Sequence, residues 1–355
     1  MEIDMADKTM VDTVSEQIVL ASRPEGEPKD ENFRLEKKAT GEPANGEVLL
    51  RTIYMSLDPY MRGRMSAAKS YAEPVAIGDV MEGGTVSEVI TSKFAGLKPG
   101  DVVLGYTGWQ THAIAKGEGL LKIDSNLAPI STALGVLGMP GMTAYTGLLN
   151  IGQPKSGETV VVAAASGAVG AIVGQIAKLK GCHVVGIAGG KQKCDYVVNE
   201  LGFDKCLDHK DDNLKKLLQE ACPKGIDVYF ENVGGKVTAA VLPLLNQFAR
   251  IPVCGLISNY NDSTPPAGPD TAPALMRDIL SKRLTFRGFI VSDFNSQRDE
   301  FLKDVSTWIK EGKIKYREDI VDGIENAPKA FQGLLKGENF GKLLVRVGTQ
   351  SNEAK

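Results

Sequence analysis

Residues 158–190 constrain the fold more than any other stretch of the chain. Glu158-Thr159-Val160-Val161-Val162-Ala163 is a short β-rich apolar run of the kind a buried parallel strand requires. It leads into Ala164-Ala165-Ser166-Gly167-Ala168-Val169-Gly170, an A-x-x-G-x-x-G turn. Val169, Ile172, Val173, Ile176 and Ala177 then recur at helical spacing, up to Lys180 and the stop signal Gly181. A second apolar strand follows, His183-Val184-Val185-Gly186-Ile187-Ala188. Strand, glycine-rich turn, helix and strand within about thirty residues are the context that a dinucleotide fingerprint needs. The glycines let backbone approach a pyrophosphate, and the free amides at the helix start face its charge. Gly174, one turn deeper, lets the helix lie close to the sheet. A loop with no ligand is the plainer alternative, and the flanking strands and helix weigh against it.

The end of the second strand bears on which dinucleotide is bound. A site for the non-phosphorylated coenzyme usually places an acidic residue there, to hold the ribose 2′-hydroxyl. Here the strand runs into Gly189-Gly190-Lys191-Gln192-Lys193, with no carboxylate. Glycines make room for a 2′-phosphate and lysines supply charge. Cations are unfavourable at a helix N-terminus unless an anion is present. NADPH is therefore expected over NADH.

A chain of 355 residues suggests two domains. Net charge is −3 with both signs scattered, so neither nucleic acid nor an anionic membrane is an expected partner. No apolar run approaches the ~18–20 residues of a membrane span. The first sixteen residues are polar and acidic, lack the apolar core of a signal peptide, and read as a disordered tail. A cytoplasmic location is the expectation. Cys182, Cys194, Cys206, Cys222 and Cys254 stand twelve or more residues apart, with no C-x-x-C. His112, His183 and His209 form no ligand pattern, so no metal is expected.

The α/β reading extends over the whole chain. Residues 17–135 are short strands and turns, such as Glu47–Tyr54 and Asp101–Tyr106, and the tail 313–355 returns to a helix and a strand that complete this unit. Residues 136–312 alternate strand and helix, with strands expected at 159–165, 183–188, 226–231, 249–257 and 284–291. That is the rhythm of a doubly wound parallel sheet, whose ligands gather at the strand C-termini. Two strands there end suggestively, in Glu231-Asn232-Val233-Gly234-Gly235 and in Cys254-Gly255-Leu256-Ile257-Ser258-Asn259-Tyr260. The third, ending Phe289-Ile290-Val291, reads as a late edge strand.

Five separated motifs carry a resemblance. They are Ser56-Leu57-Asp58-Pro59-Tyr60-Met61-Arg62, Met139-Pro140-Gly141-Met142-Thr143-Ala144-Tyr145, the glycine-rich turn with Gly174–Lys178, Glu231–Gly235, and Lys336-Gly337-Glu338-Asn339-Phe340-Gly341-Lys342. In this order they resemble the medium-chain dehydrogenase/reductase superfamily. Within it the likeness is to the zinc-free leukotriene B4 dehydrogenase/prostaglandin reductase group, which includes plant alkenal double-bond reductases and bacterial curcumin reductases. Ala221–Asp227 and Ala249–Leu256 point to the bacterial NADPH-dependent curcumin reductases. The resemblance implies a Rossmann domain at 136–312 and a GroES-like catalytic domain at 17–135 plus 313–355. It also implies a homodimer through the nucleotide domains.

Site residues follow from the same resemblance. Gly167, Ala168, Val169 and Gly170 would hold the pyrophosphate, and Gly190 and Lys193 the 2′-phosphate. His209 stands where many relatives carry a tyrosine near that phosphate, which would make affinity pH-dependent. Asn232 with Cys254, Gly255, Leu256, Ile257, Ser258 and Tyr260 would line the nicotinamide ribose. Phe289, Ile290, Val291 and Asn339 would close over the cofactor, with Met142 and Thr143 beside it. Tyr54 and Tyr260 match substrate-facing positions. The metal-bearing cousins place Gly-His-Glu where this chain has Gly78-Asp79-Val80-Met81-Glu82-Gly83.

Chemistry narrows the reaction. Reducing a plain carbonyl needs strong polarisation of oxygen, whereas an enone asks less. Hydride goes to the β-carbon, charge develops as an enolate, and a hydrogen-bond donor stabilises that oxygen. Tyr260 is the expected donor, since a phenol stays protonated at neutral pH. Tyr54 is a second donor, an aromatic wall or plain core. The stretch 259–273 is a connector or a flap over the site. The expected function is NADPH-dependent reduction of enone and enal double bonds of the curcumin type. An NADPH quinone reductase and a non-catalytic NADPH-binding protein are the alternatives.

Overall fold

The computed structural model describes residues 13–264 and 270–350. Its first half is antiparallel: β1 (Val14–Leu20), β2 (Phe33–Ala39), β3 (Glu47–Ser56), helix α1 (Met61–Arg64), β4 (Thr85–Ser92), β5 (Val102–Gly105), β6 (His112–Lys116) and β7 (Leu121–Lys122). β1 pairs with β2, and β3 is the hub of the larger sheet, bonded to β4 and β6. β1 starts earlier than the sequence suggested. Residues 14–16, expected in the tail, pair with Lys37–Ala39, and the buried Ser15 hydroxyl donates to His112 O at 2.7 Å. Residues 1–12 of that tail lie outside the described residues. Beneath this sheet Phe33 stacks on Trp109 at 5.8 Å, and Phe331 meets both rings edge-on.

The middle of the chain builds a six-stranded parallel sheet. Helix α2 (Met139–Thr146) precedes it. Then come β8 (Thr159–Ala163), α3 (Gly170–Leu179), β9 (His183–Ala188), α4 (Lys191–Asn199), β10 (Lys205–Asp208), α5 (Leu214–Ala221), β11 (Ile226–Phe230), α6 (Gly235–Val241), β12 (Leu245–Val253), α7 (Ala272–Lys282) and β13 (Thr285–Gly288). The order is β10-β9-β8-β11-β12-β13, so the direction of winding reverses between β8 and β11. β8 shows why the strand forms. Its period-2 alternation sends Val160 and Val162 into the cluster with Ile172, Val173 and Phe301. Val161 and Ala163 face the opposite cluster, with Leu218 and Val241.

After α8 (Arg298–Lys310) the chain returns to the first sheet through β14 (Glu318–Asp322), α9 (Ala327–Leu335) and β15 (Lys342–Arg346), and β15 pairs antiparallel with β3. Three expectations need correction. β10 was missed because Lys205-Cys206-Leu207-Asp208 is a short, half-exposed edge with no apolar run. β12 runs four residues earlier than 249–257. The chain leaves the sheet after Val253 because the amides of Cys254 and Gly255 both turn to Glu231 O, at 2.9 and 3.2 Å. β13 ends at Gly288, and Val291 already opens a 3-10 turn, so Phe289–Val291 lie beyond the edge strand. Among the described residues no helix is long and apolar enough to cross a membrane.

Candidate active site

The reversal between β8 and β11 opens a crevice at the strand C-termini, and the glycine-rich turn lies on its rim. Ala164 takes φ 53°, and its carbonyl accepts Gly167 N–H at 2.9 Å. A Cβ at Gly170 would stand 2.3 Å from that carbonyl oxygen, so only glycine closes this turn. No side chain caps α3; the amides of Ala171, Ile172 and Val173 bond back to Gly167 O and Val169 O, and those of Ala168, Val169 and Gly170 are left to meet an anion. Ser166, Gly167 and Ala168 line a narrow cleft whose opposite wall is Tyr316, Arg317, Glu318 and Lys342. Glu318 Oε1 is buried there without a hydrogen-bond partner. A cradle held open by glycines, with the backbone amides of Ala168, Val169 and Gly170 unbonded among the described residues, fits a dinucleotide.

A second corner collects cations. Lys193 sits in the first turn of α4 and donates to Gly337 O at 2.6 Å, which ties it to the loop that carries Asn339. Burial, and then Lys210 nearby, hold the Lys193 ammonium below its ordinary value. The His209 ring lies over Gly189, whose Cβ would stand 3.0 Å from Nε2. Burial also lowers the His209 imidazole. Gly190 takes φ 88° with open space around it. Two lysines and an imidazole crowd at a helix N-terminus, where an anion would relieve their mutual repulsion. Lys210 was not anticipated from the sequence; its place directly after His209, at the end of a strand, is the signal that was available. Asp208 closes β10, and its carboxylate accepts backbone amides on both sides. Burial would raise its carboxyl, but the amides of Lys210 and Gly190 outweigh that and hold it below the ordinary range.

The ends of β11 and β12 are laced together. The buried Glu231 carboxylate accepts from Val233 N and Gly234 N at 2.7 and 2.9 Å and staples the start of α6. Asn232 Nδ2 donates to Ala163 O at 2.8 Å, at the end of β8. Asn232 O receives Ile257 N–H, and Val233 O receives Ser258 from both its amide and its hydroxyl. The Cys254–Tyr260 segment is thereby draped over the crevice. Burial raises the Cys254 thiol to about 12, so it is no nucleophile at neutral pH. The Tyr260 hydroxyl accepts Leu256 N–H at 3.3 Å, which leaves its own proton free to donate. Burial pushes that phenol further up. Residues after it are tied to the barrel, for Arg62 Nε donates to Asn261 Oδ1 at 3.1 Å. Residues 265–269 of the expected flap lie outside the described residues, and Ala272 and Pro273 already belong to α7.

Other candidates stand elsewhere. Tyr54, on β3, is half-buried against the cluster of Val86, Val102, Leu134 and Leu344. No hydrogen bond or ring contact joins Tyr54 to Tyr260 among the described residues. The Phe289 ring is core, edge-on to Phe230 and Phe294. Ile290 N–H is taken by Asp293 Oδ2 at 3.1 Å. Met142 is buried in the core and the Thr143 hydroxyl bonds Met139 O at 2.7 Å, both inside α2. Asn339 Nδ2 donates to Gly341 O at 2.8 Å. The barrel also carries an aromatic group: Tyr60 and Tyr106 share a hydroxyl–hydroxyl bond, and the Arg64 guanidinium lies 4.5 Å from the Tyr71 ring.

Comparison with known proteins agrees with this architecture. Residues 16–123 match the family model described as the N-terminal domain of oxidoreductase, and residues 168–310 match that described as zinc-binding dehydrogenase. The NADPH-dependent curcumin reductase of Escherichia coli (strain K12) is 59% identical over 330 residues, which cover 93% of this chain and 96% of that protein. Prostaglandin reductase 1 of Bos taurus is 45% identical over 326 residues, covering 90% and 95%. The crystal structure of CurA from Vibrio vulnificus in complex with NADPH is 57% identical, covers 94% of this chain and 99% of that one, and superposes with a TM-score of 0.91. Among the described residues no group of three or more histidines, cysteines and carboxylates lies together as a metal site would require. The chain belongs to the zinc-independent medium-chain dehydrogenases/reductases, in the group that contains the bacterial curcumin reductases and the prostaglandin reductases.

Proposed function

We propose that this protein uses NADPH to reduce the C=C bond of α,β-unsaturated ketones and aldehydes, with extended conjugated dienones of the curcumin type as its substrate class. The observation that carries the reading is Tyr260, a protonated phenol whose proton is uncommitted, held at the crevice beside the Asn232 turn. When bound, the cofactor supplies hydride to the β-carbon. The chain supplies the rest. The 167–170 turn and the Lys193–His209–Lys210 corner position the two phosphate groups, and Asn232 and Ser258 hold the segment that carries Tyr260. The Tyr260 hydroxyl donates to the oxygen on which enolate charge develops. Tyr71 and the Tyr60–Tyr106 pair give the barrel side an aromatic wall suited to conjugated substrates. The domains are taken as 14–135 plus 313–350 and 136–312.

The proposed assembly is a homodimer in the cytoplasm. β13 is an edge strand with open backbone groups, and Met276 and Leu280 of the adjacent α7 are exposed. The activity is tested by following NADPH oxidation with an enal, an enone, curcumin, a quinone and a saturated ketone. Enone and curcumin turnover is expected, and Tyr260→Phe is expected to lower kcat about 100-fold with NADPH affinity unchanged. Strong quinone turnover without enone turnover would replace the reading. An unchanged kcat in Tyr260→Phe would remove that residue from the chemistry.

A further inference from the structure

The barrel-side wall of the cleft carries a cation that no sequence motif marks. Arg317 stands where the chain passes from α8 into β14, across the cleft from Ser166, Gly167 and Ala168. Its guanidinium lies 4.2 Å from the centre of the Phe340 ring, and Phe340 meets Tyr196 of α4 edge-on at 5.0 Å. The backbone beneath it is clamped as well. Lys342 N–H donates to Arg317 O at 2.9 Å, and Gly341, at φ 90°, leaves no room for a Cβ, which would stand 2.3 Å from that same oxygen. Arg317 forms no ion pair with a carboxylate among the described residues, unlike the Arg51, Arg250 and Arg346 guanidinium groups. An arginine stacked on an aromatic platform loses little freedom when its fork of N–H groups takes an anion.

We propose that Arg317 binds the pyrophosphate of the dinucleotide from the barrel side, opposite the amides of the 167–170 turn. The assignment rests on the NADPH reading. Its place separates it from the 2′-phosphate corner: Arg317 shares a cleft with Ser166–Ala168, whereas Lys193 is bonded to Gly337 O. Glu318 is the opposing charge in this wall, and burial favours its neutral form. With one phosphate held between the Rossmann turn and a barrel arginine, the cofactor itself becomes a cross-link between the two domains.

Calorimetric titration of the full-length protein with NADP+, ADP-ribose and adenosine 2′-monophosphate tests this, because the three ligands separate the two phosphate sites. Arg317→Ala is expected to weaken NADP+ and ADP-ribose about 10- to 100-fold and to leave adenosine 2′-monophosphate unchanged. Lys193→Ala is expected to show the other pattern, weakening NADP+ and adenosine 2′-monophosphate while sparing ADP-ribose. Unchanged ADP-ribose affinity in Arg317→Ala, or an equal loss for all three ligands in a variant that keeps the wild-type thermal transition, would overturn the assignment. Should Arg317→Ala fail to fold, Arg317→Gln keeps the length of the side chain without its charge and is held to the same outcomes. A wild-type protein that binds none of the three ligands would instead overturn the NADPH reading beneath it.

Discussion

His209 shows how a single substitution within a family pattern acquires physical content. Burial keeps its imidazole neutral at pH 7 in the free protein. A 2′-phosphate favours the imidazolium, so falling pH adds an attraction that NADPH feels and NADH does not. The phosphate loses charge over the same range, so His209→Gln is the proper reference at each pH. From about pH 8 to about pH 6, wild-type affinity for NADP+ is expected to rise severalfold relative to His209→Gln, measured by calorimetry. A flat ratio would leave the ring only a packing role. The residue and its departure from the family pattern were readable in the chain. Its neutrality was not, because it comes chiefly from burial, which outweighs the adjacent Asp208 carboxylate and is helped by Lys210 and by Lys193, and only the folded sheet supplies the burial and brings Lys193 close.

At the scale of the element, the β8–α3–β9 unit was legible almost to its ends. Three valines and an alanine of β8 alternate between two apolar clusters, and the helix repeats its apolar face against one of them. Gly174 is the point where the helix meets a neighbour. A Cβ there would stand 1.7 Å from Phe203 Cζ, in a buried ring with nowhere to turn. Helix propensity alone favours alanine by about 1 kcal/mol. Overpacking typically costs about 1–3 kcal/mol, and a clash this deep belongs at or above that upper end. Gly174→Ala is therefore expected to lower the thermal midpoint, and Gly174→Ala with Phe203→Leu to recover much of it. A Tm equal to wild type for the single variant would show that the helix shifts freely. β12 and β13 were less legible. Their C-terminal apolar residues read as strand, while competition from Glu231 O and the 3-10 turn at Val291 ended the strands earlier.

The whole molecule joins motifs that the sequence holds far apart. Lys342, of the last motif, donates to Leu57 O and Asp58 Oδ1 of the first, at 2.7 and 2.8 Å, and both charges are buried. Ser56 donates to the other Asp58 oxygen. Removing one member of such a pair leaves an uncompensated charge, at a cost of about 3–5 kcal/mol, so the two motifs function as one structural latch under the cleft. The open edge of β13 extends the argument to assembly. Light scattering is expected to give the mass of two chains, and proline at Phe286, which removes a backbone donor and the side chain facing β12's cluster, is expected to shift it toward one. A single-chain mass for the wild-type protein would overturn the homodimer.

The sequence by itself determined the doubly wound sheet and the glycine turn and made a phosphorylated coenzyme the expectation, because each is written in local period, spacing and charge. Tertiary structure alone decided that Arg317 faces the glycine turn, that Lys193 is tied to Gly337 of the last motif, and that Tyr54 packs within the barrel while Tyr260 overhangs the crevice. These placements depend on contacts between residues distant in the chain, and no local pattern encodes which side chains a closed sheet will bring together.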